Sequence, residues 1–530
     1  MPTKNSANSE YYIRNIKLVF PLLFRGVFMH YSKEDAEILS RHVSNLDKQV
    51  YVVYNVPPEV VSVLFAYVSR SPASFRDNLL KLIKSDELGF ASEKSTSYFL
   101  EAQKKAAEFH KKWVVGFGHF SVAEHAVLNI AIERVSILFT KLIEDNRLAS
   151  YTEKSTRYQI FDRNSYYKPK RIMNSRFASD YKQTMNSLFD FYTNNFNTML
   201  AFMREKYPKH EQMNERFYES LTKSRACDVM RYTLPAATLT NLGATFNARS
   251  LVHAIEKLLS CPLEEARDVG IQIKEEASKF LPTLMKAAEK SSYIEETEKA
   301  LRKLALREIG QSKEENNEES CKEKEFEVRV VSYDKDAENK LVAAMLYKHL
   351  HEPFEKVLAK VKKLSREKKQ KVFEEFFKRI TDKDAPLREL EHIYYTFEIL
   401  VDYGAYRDLQ RHRMCTQTTQ LLSTKHGFSM PKEMKEAGLG NEFKELMKEA
   451  KELYGKLAEE MPYEAQYCVP LAYKKRVLYT WNLRELYHVI RLRTGKAGHK
   501  SYRKVAQQCY LELKRIHPFI ARYFSVDLSK

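Results

Sequence analysis

Three short stretches of the chain carry side chains suited to holding an anion. The stretch "RHRMCTQTTQLLS" sets Arg411, His412 and Arg413 side by side and meets no acid through Ser423. A solvated helix face usually mixes signs, so this run reads as built to meet a negative partner. In "YTEKSTRY", Ser155 and Arg157 place a hydroxyl and a fork-shaped cation two residues apart, a reasonable phosphate clamp. The third stretch is Asn-x-Arg-x-x-x-His, at Asn482, Arg484 and His488. On a helix, Asn482 and Arg484 lie near one end, with His488 one turn beyond Arg484 on the same side. Such groups suit a phosphate or the polar edge of a ring. Helix capping by the Asn, with Arg and His solvated, is the plainer use of the same residues.

The elements that must position these groups are mostly helical. Long amphipathic segments such as "NEFKELMKEAKELYGKLAEEM" recur, and only 14 glycines argue against an all-β fold. "FEVRVVSYD" reads as a strand and "AENKLVAAMLYKHL" as the helix after it, so the fold class expected is α/β (α+β), helix-rich. The chain has 530 residues, 44% apolar, enough for several domains with real cores. A formal net charge of +18 points to anionic partners. "GQSKEENNEESCKEKEF" is too charged to bury itself and reads as a linker at 310–326. The six cysteines show no metal-ligand spacing, so reduced thiols in a cytoplasmic protein with no metal site are expected. "IKLVFPLLFRGVFMHY" is short and broken by Pro21 and Arg25; no membrane span or signal peptide is expected. The cluster Lys496, His499, Lys500, Arg503 and Lys504 reads either as an anion-attracting patch or as a solvated helix end.

An internal repeat orders all of this. "YTLPAATLTNLGATFNARSLVHAIEKL" lies over "YCVPLAYKKRVLYTWNLRELYHVIRLR" at a constant offset of 235, pairing Pro235 with Pro470, Asn247 with Asn482, Arg249 with Arg484 and His253 with His488. Upstream, "EHAVLNIAI" from Glu124 matches "EHIYYTFEI" from Glu391. Each precedes an arginine, Arg147 or Arg413, in the same order. The chain is therefore read as a tandem duplication: a helical extension at 1–105, a first domain at 106–309, the linker, and a second domain at 327–530. The two copies differ in a telling way. Asp145 and Asn146 stand where Arg411 and His412 stand, whereas Leu421 and Ser423 stand where Ser155 and Arg157 stand. Each half has lost what the other keeps.

These motifs resemble the flavin-dependent thymidylate synthases. That family's signature is Arg-His-Arg, seven residues, Ser, and an Arg two further on. The second half carries its front and the first half its back. "GHFSVAEHA", with His119 and Ser121, resembles the upstream motif "GHxSPxEHA", and "RYTLP…FNARSL" and "VPL…WNLRELYHVIRLR" resemble the downstream block. The likeness covers roughly 110–285 and 327–522.

The resemblance implies reductive methylation of dUMP to dTMP, with FAD as cofactor and methylenetetrahydrofolate and NADPH as co-substrates. The family is a homotetramer with sites between subunits, so a homodimer of this two-domain chain would mimic it. By the resemblance, Arg411, His412 and Arg413 serve the flavin, with Glu153, His119, Ser121, Asn482, Arg484 and His488 beside them. Glu153, Ser155, Arg157, Arg231 and Arg411 hold dUMP, and Arg493 contacts the pyrimidine as the catalytic residue. The reciprocal set, with Leu258, Leu421 and Gln466, would be inactive. A non-catalytic flavin-, nucleotide- or RNA-binding paralogue and a flavin- and folate-dependent RNA uracil methyltransferase are the alternatives. A phosphate clamp of Ser155, Arg157 and Arg231 argues for a free nucleotide over a nucleic acid.

Overall fold

The computed structural model describes residues 31–68, 73–84, 120–310 and 327–529. His119 and the linker beyond Gly310 lie outside them. The chain divides into two compact units. The smaller holds residues up to Leu128 with Phe246–Ile255 and Gln272–Glu289, and the larger holds Asn129–Thr245, Glu256–Ile271 and Lys290 onward.

In the smaller unit, α1 (Lys33–Ser40), α2 (Pro58–Val68) and α3 (Phe75–Lys84) enclose a core of Leu39, Val60, Val63, Leu64, Leu79 and Leu82. Glu59 is buried at the start of α2, where its Oε1 accepts the Thr283 amide at 3.2 Å. Arg249 donates to Glu124 at 2.7 Å.

The two halves of the sequence run through the same order of elements. Half one has β1 (Val127–Ser136), α4 (Ile137–Ile143), β2 (Ala149–Glu153), α5 (Ala178–Lys206), α6 (Glu215–Met230), β3 (Leu239–Asn247), α7 (Ala248–Leu259) and α8 (Glu264–Ser278). Half two opens with β4 (Glu327–Tyr333). After further helices between Ala337 and Phe377 it repeats the series, with one long helix in place of α5 and α6, as β5 (Tyr394–Asp402), α9 (Tyr403–Leu409), β6 (Thr416–Thr419), α10 (Gly440–Glu460), β7 (Lys474–Asn482), α11 (Leu483–Arg493) and α12 (Lys500–Ile516). The sheets match as well: β1-β3-β2 in one, β4-β5-β7-β6 in the other. The fold is thus α+β and helix-rich, with a small sheet in each repeat.

Local sequence explains the elements. In β5, Tyr395, Phe397, Ile399 and Val401 alternate inward and are fully buried, the pattern of a strand with one covered face. β5 pairs antiparallel with β7 from Tyr394↔Asn482 to Asp402↔Lys474, which aligns Phe397 beside Tyr479. In α10, Phe443, Leu446, Met447, Ala450, Leu453 and Leu457 recur at three and four, so one stripe faces the core.

One buried contact is preserved between repeats with its chemistry exchanged. In half one, Ser136 caps α4 and its hydroxyl donates to Glu265 of α8 at 2.6 Å. In half two, Asp402 caps α9 and accepts from the Ser501 hydroxyl of α12. Hydroxyl and carboxylate have traded places, and the short helix is fastened either way.

Cys227, Cys261, Cys415, Cys468 and Cys509 are free thiols. Among the described residues no cluster of metal-ligating side chains occurs, and no helix is long and apolar enough to cross a membrane.

Candidate active site

The loop after β2 and the helix α9 come together inside the larger unit, one from each half. Between them lies an open cleft of about 560 Å³, its mouth included. Glu153, Ser155, Arg157 and Arg231 line it from half one; Arg407, Asp408 and Arg411 line it from half two.

Arg231 sits in a tight turn directly after α6 and is only 2% exposed. Its Nη1 lies 3.9 Å from Asp408 Oδ2, and among the described residues neither Nε nor Nη2 has a hydrogen-bond partner. Leaving charged donors buried and unpaired is costly, so a site that keeps them is shaped for an incoming anion. Gly404 lies against this guanidinium: a Cβ there would stand in contact with Nε and Nη2, 3.5 Å from each, and 3.2 Å from Asp402 Oδ1. The equivalent residue in half one is Leu138.

Arg157 is held by a two-pronged pair with Asp228, Nε to Oδ1 at 2.8 Å and Nη2 to Oδ2 at 2.9 Å. Burial would raise the Asp228 pKa, but the Arg157 hydrogen bonds and the His499 and Arg231 charges outweigh it and hold the carboxyl below its usual range. Ser155 Oγ accepts the Arg157 amide at 3.2 Å. Glu153 accepts from Arg407 at 2.8 Å, from Lys141 at 3.2 Å and from Thr140 at 3.0 Å. Burial opposes its ionisation, yet these two cations keep it ionised well below the usual carboxylate range.

Behind the cleft, Arg493 donates from Nε to His412 Nε2 at 2.8 Å and from Nη2 to the Asp408 carbonyl at 2.7 Å. Because Nε2 accepts, the buried His412 is neutral and carries its proton on Nδ1, 3.5 Å from Glu485. Burial holds the His412 pKa below its ordinary value, with the Arg493 charge adding to the effect. Arg411 is exposed at the mouth, while Arg413 lies over the Tyr151 ring and donates to the Ala149 carbonyl at 2.7 Å.

The remaining sequence candidates stand elsewhere. Asn482 caps α11, its Oδ1 accepting the Glu485 amide at 2.8 Å, and Arg484 is engaged by Glu391 at 2.9 Å and the Pro386 carbonyl at 2.7 Å. His488 meets the edge of His412 at 5.5 Å. Ser121 is exposed in the smaller unit. The cationic cluster at 496–504 is neither patch nor solvated end throughout. His499 caps α12 and is buried against Tyr232, and Arg503 is buried on the Thr494 carbonyl at 3.0 Å.

Lys141, Arg407 and Asp408, which line the cleft, and Asp228, which holds Arg157, went unread in the sequence. Arg407 stands one helical turn before Arg411, and Asp228 one turn before Arg231, so helical spacing was the available signal.

The reciprocal positions are filled from within. Gln466, equivalent to Arg231, accepts the Leu422 amide at 3.0 Å and donates to the Tyr463 carbonyl at 3.0 Å. Asn146, equivalent to His412, donates to the Ile143 carbonyl at 2.7 Å, and Leu258, equivalent to Arg493, is buried.

Comparison with known proteins agrees with the repeat. A profile of the family described as thymidylate synthase complementing protein matches residues 57–283 and 329–519. A UPF0159 protein of Chlamydia muridarum is 35% identical over 94% of this chain and 96% of its own length. A flavin-dependent thymidylate synthase of Pyrococcus furiosus is 26% identical over 36% of this chain and 71% of its own length. Among solved structures, a UMP/dUMP methylase from Streptomyces cacaoi covers 37% of this chain and 93% of its own; its 15% identity and TM-score of 0.31 make that a remote likeness. With two matched segments carrying the same element order and sheet order, the chain belongs to the flavin-dependent thymidylate synthase family as a tandem duplication.

Proposed function

We propose that the chain catalyses the reductive methylation of dUMP to dTMP, with FAD bound and methylenetetrahydrofolate and NADPH as co-substrates. The observation that carries this reading is Arg231, a buried guanidinium with two unpaired donors at the wall of a cleft lined by both halves. Arg231, Arg157 and Ser155 would hold the 5′-phosphate. Glu153, fixed between Arg407 and Lys141, would hold the loop that presents them. Arg493, with its plane set by His412 and the Asp408 carbonyl, would face the pyrimidine edge and stabilise charge as the ring nitrogen ionises.

Arg411 at the mouth and Arg413 beside it suit an anionic dinucleotide cofactor, and the buried Nε of Arg413 has no hydrogen-bond partner among the described residues. When bound, the flavin supplies the redox chemistry. Two chains would assemble as a homodimer standing in for the family tetramer.

Release of tritium from [5-³H]dUMP, dependent on FAD, methylenetetrahydrofolate and NADPH together, tests the reaction. Release that ignores any one of the three, or a flavin-loaded protein that releases none, would overturn it.

A further inference from the structure

One side chain between the phosphate clamp and Arg493 belongs to none of the motifs. Tyr502 follows Ser501 on α12, as Ala266 follows Glu265, the counterpart of Ser501 in the clasp, on α8. Its ring is buried at 5% exposure. Arg157 Nη1 lies 3.4 Å from its hydroxyl, and the Arg493 guanidinium stands over its face, 5.2 Å from the centroid. The ring reaches this place because residue 498 is glycine: a Cβ there would come within 2.7 Å of Tyr502 Cε2. His499 lies beside the ring at 6.1 Å and itself stacks on Tyr232.

We infer that Tyr502 is a positioning residue that ties the phosphate clamp to the catalytic arginine, its hydroxyl steering Arg157 and its ring face steering Arg493. The inference rests on the function proposed above for those two arginines. Arg157 spends two of its donor positions on Asp228, so the Nη1 that points at Tyr502 is one of the few left to turn toward a ligand. Among the described residues the nearest carboxylate to Arg493 is that of Asp408 at 4.0 Å, and the aromatic face therefore fixes its plane together with the two hydrogen bonds already described. The two contacts use different parts of one side chain, which makes them separable.

Two variants separate them. Tyr502→Phe keeps the ring and removes the hydroxyl; it should weaken dUMP binding by about three- to tenfold, with the single-turnover rate of flavin oxidation at saturating dUMP within about twofold of wild type. Tyr502→Leu removes both contacts and should also slow that single-turnover step by about tenfold, the order expected from a lost desolvated cation–π contact. Flavin content and melting temperature report on folding in both. Equal effects of the two variants on both readouts, or variants that lower only the melting temperature, would overturn the inference. Should wild type bind no dUMP, the function proposed above fails first. Titration with inorganic phosphate then decides for Tyr502: weaker binding in Tyr502→Phe supports the steering of Arg157, and unchanged binding refutes it.

Discussion

Pro235 and Pro470, equivalent residues of the two repeats, face each other in an antiparallel bridge. The hydrogen bonds around them come in matched pairs. Ala236 donates to Val469 at 2.9 Å, as Leu471 donates to Leu234 at 2.9 Å; Ala237 donates to Tyr467 at 2.9 Å, as Ala472 donates to Tyr232 at 3.0 Å. Each bond maps onto its twin at the offset of 235, which is the pattern of a self-complementary contact about a twofold axis. Such an axis generates two equivalent clefts, and only the side chains distinguish them. One cleft has Arg231 over Gly404; the other has Gln466 tied to Leu422, and Leu138.

Each chain should therefore hold one nucleotide and one flavin. Isothermal titration of the flavin-loaded protein with dUMP, alongside flavin absorbance per chain, measures both. Two tightly bound equivalents of either would contradict the asymmetry of the clefts.

The two arginines proposed to hold the phosphate should not contribute equally. Arg157 is already saturated by Asp228 on one side, whereas Arg231 has two open donors. Arg231→Ala should lower dUMP affinity by about a hundredfold and Arg157→Ala by about tenfold, as for loss of a charge-assisted contact. Gln466→Ala leaves the Leu422 amide unpaired; it should cost about 1–3 kcal/mol of stability by chemical denaturation and leave dUMP affinity unchanged.

His412 should give the proposed reaction an acid limb. Its folded pKa lies below the ordinary 6.5, because burial disfavours the cation. Above pH 6.5 the ring is neutral folded or unfolded, and Arg493 keeps its acceptor. As pH falls below 6.5 the unfolded chain takes up this proton before the folded one, so stability drops. Protonation of folded His412 then expels Arg493 from Nε2. The single-turnover rate should be flat from pH 8 to 6.5 and fall below it. His412→Asn, the residue that half one carries as Asn146, should flatten that limb.

Glu59 should make the smaller unit less stable in alkali. Burial raises its pKa to about 7, against 4.5 in an unstructured chain. Between these values the folded state binds the extra proton, so stability falls as pH rises from 4.5 through about 7 and stays low above. The full difference is roughly 3 kcal/mol. Glu59→Gln, which keeps an acceptor for the Thr283 amide, should remove the slope in urea denaturation measured from pH 5 to pH 8.

Much of this site could be read before any coordinates, because the repeat exposed it. Aligning the halves showed which arginines survived in each copy, and the cleft collects Ser155, Arg157, Arg231 and Arg411 at one place. Asn482, expected beside the flavin with helix capping as its plainer use, caps α11. What failed was anything that depends on a distant partner. Tyr502 reaches Arg157 across 345 positions, and nothing in its neighbourhood marks it. The segment at 491–504 misled for a related reason. Its charge is plain, but whether a cation faces water depends on the surface its helix packs against, and His499 and Arg503 are turned inward.

The exchanged clasps, Ser136 with Glu265 and Asp402 with Ser501, also bear on how such a chain changes over generations. Swapping hydroxyl and carboxylate takes two substitutions, and the first leaves two acids, or two alcohols, facing each other in the core. In a symmetric assembly of identical subunits every copy passes through that stage at once. In a fused chain one clasp can pass through it while the other holds, so joining the halves opens mutational routes closed to the separate subunit. The same freedom lets a glycine stay under Arg231 in one cleft while a leucine occupies its counterpart.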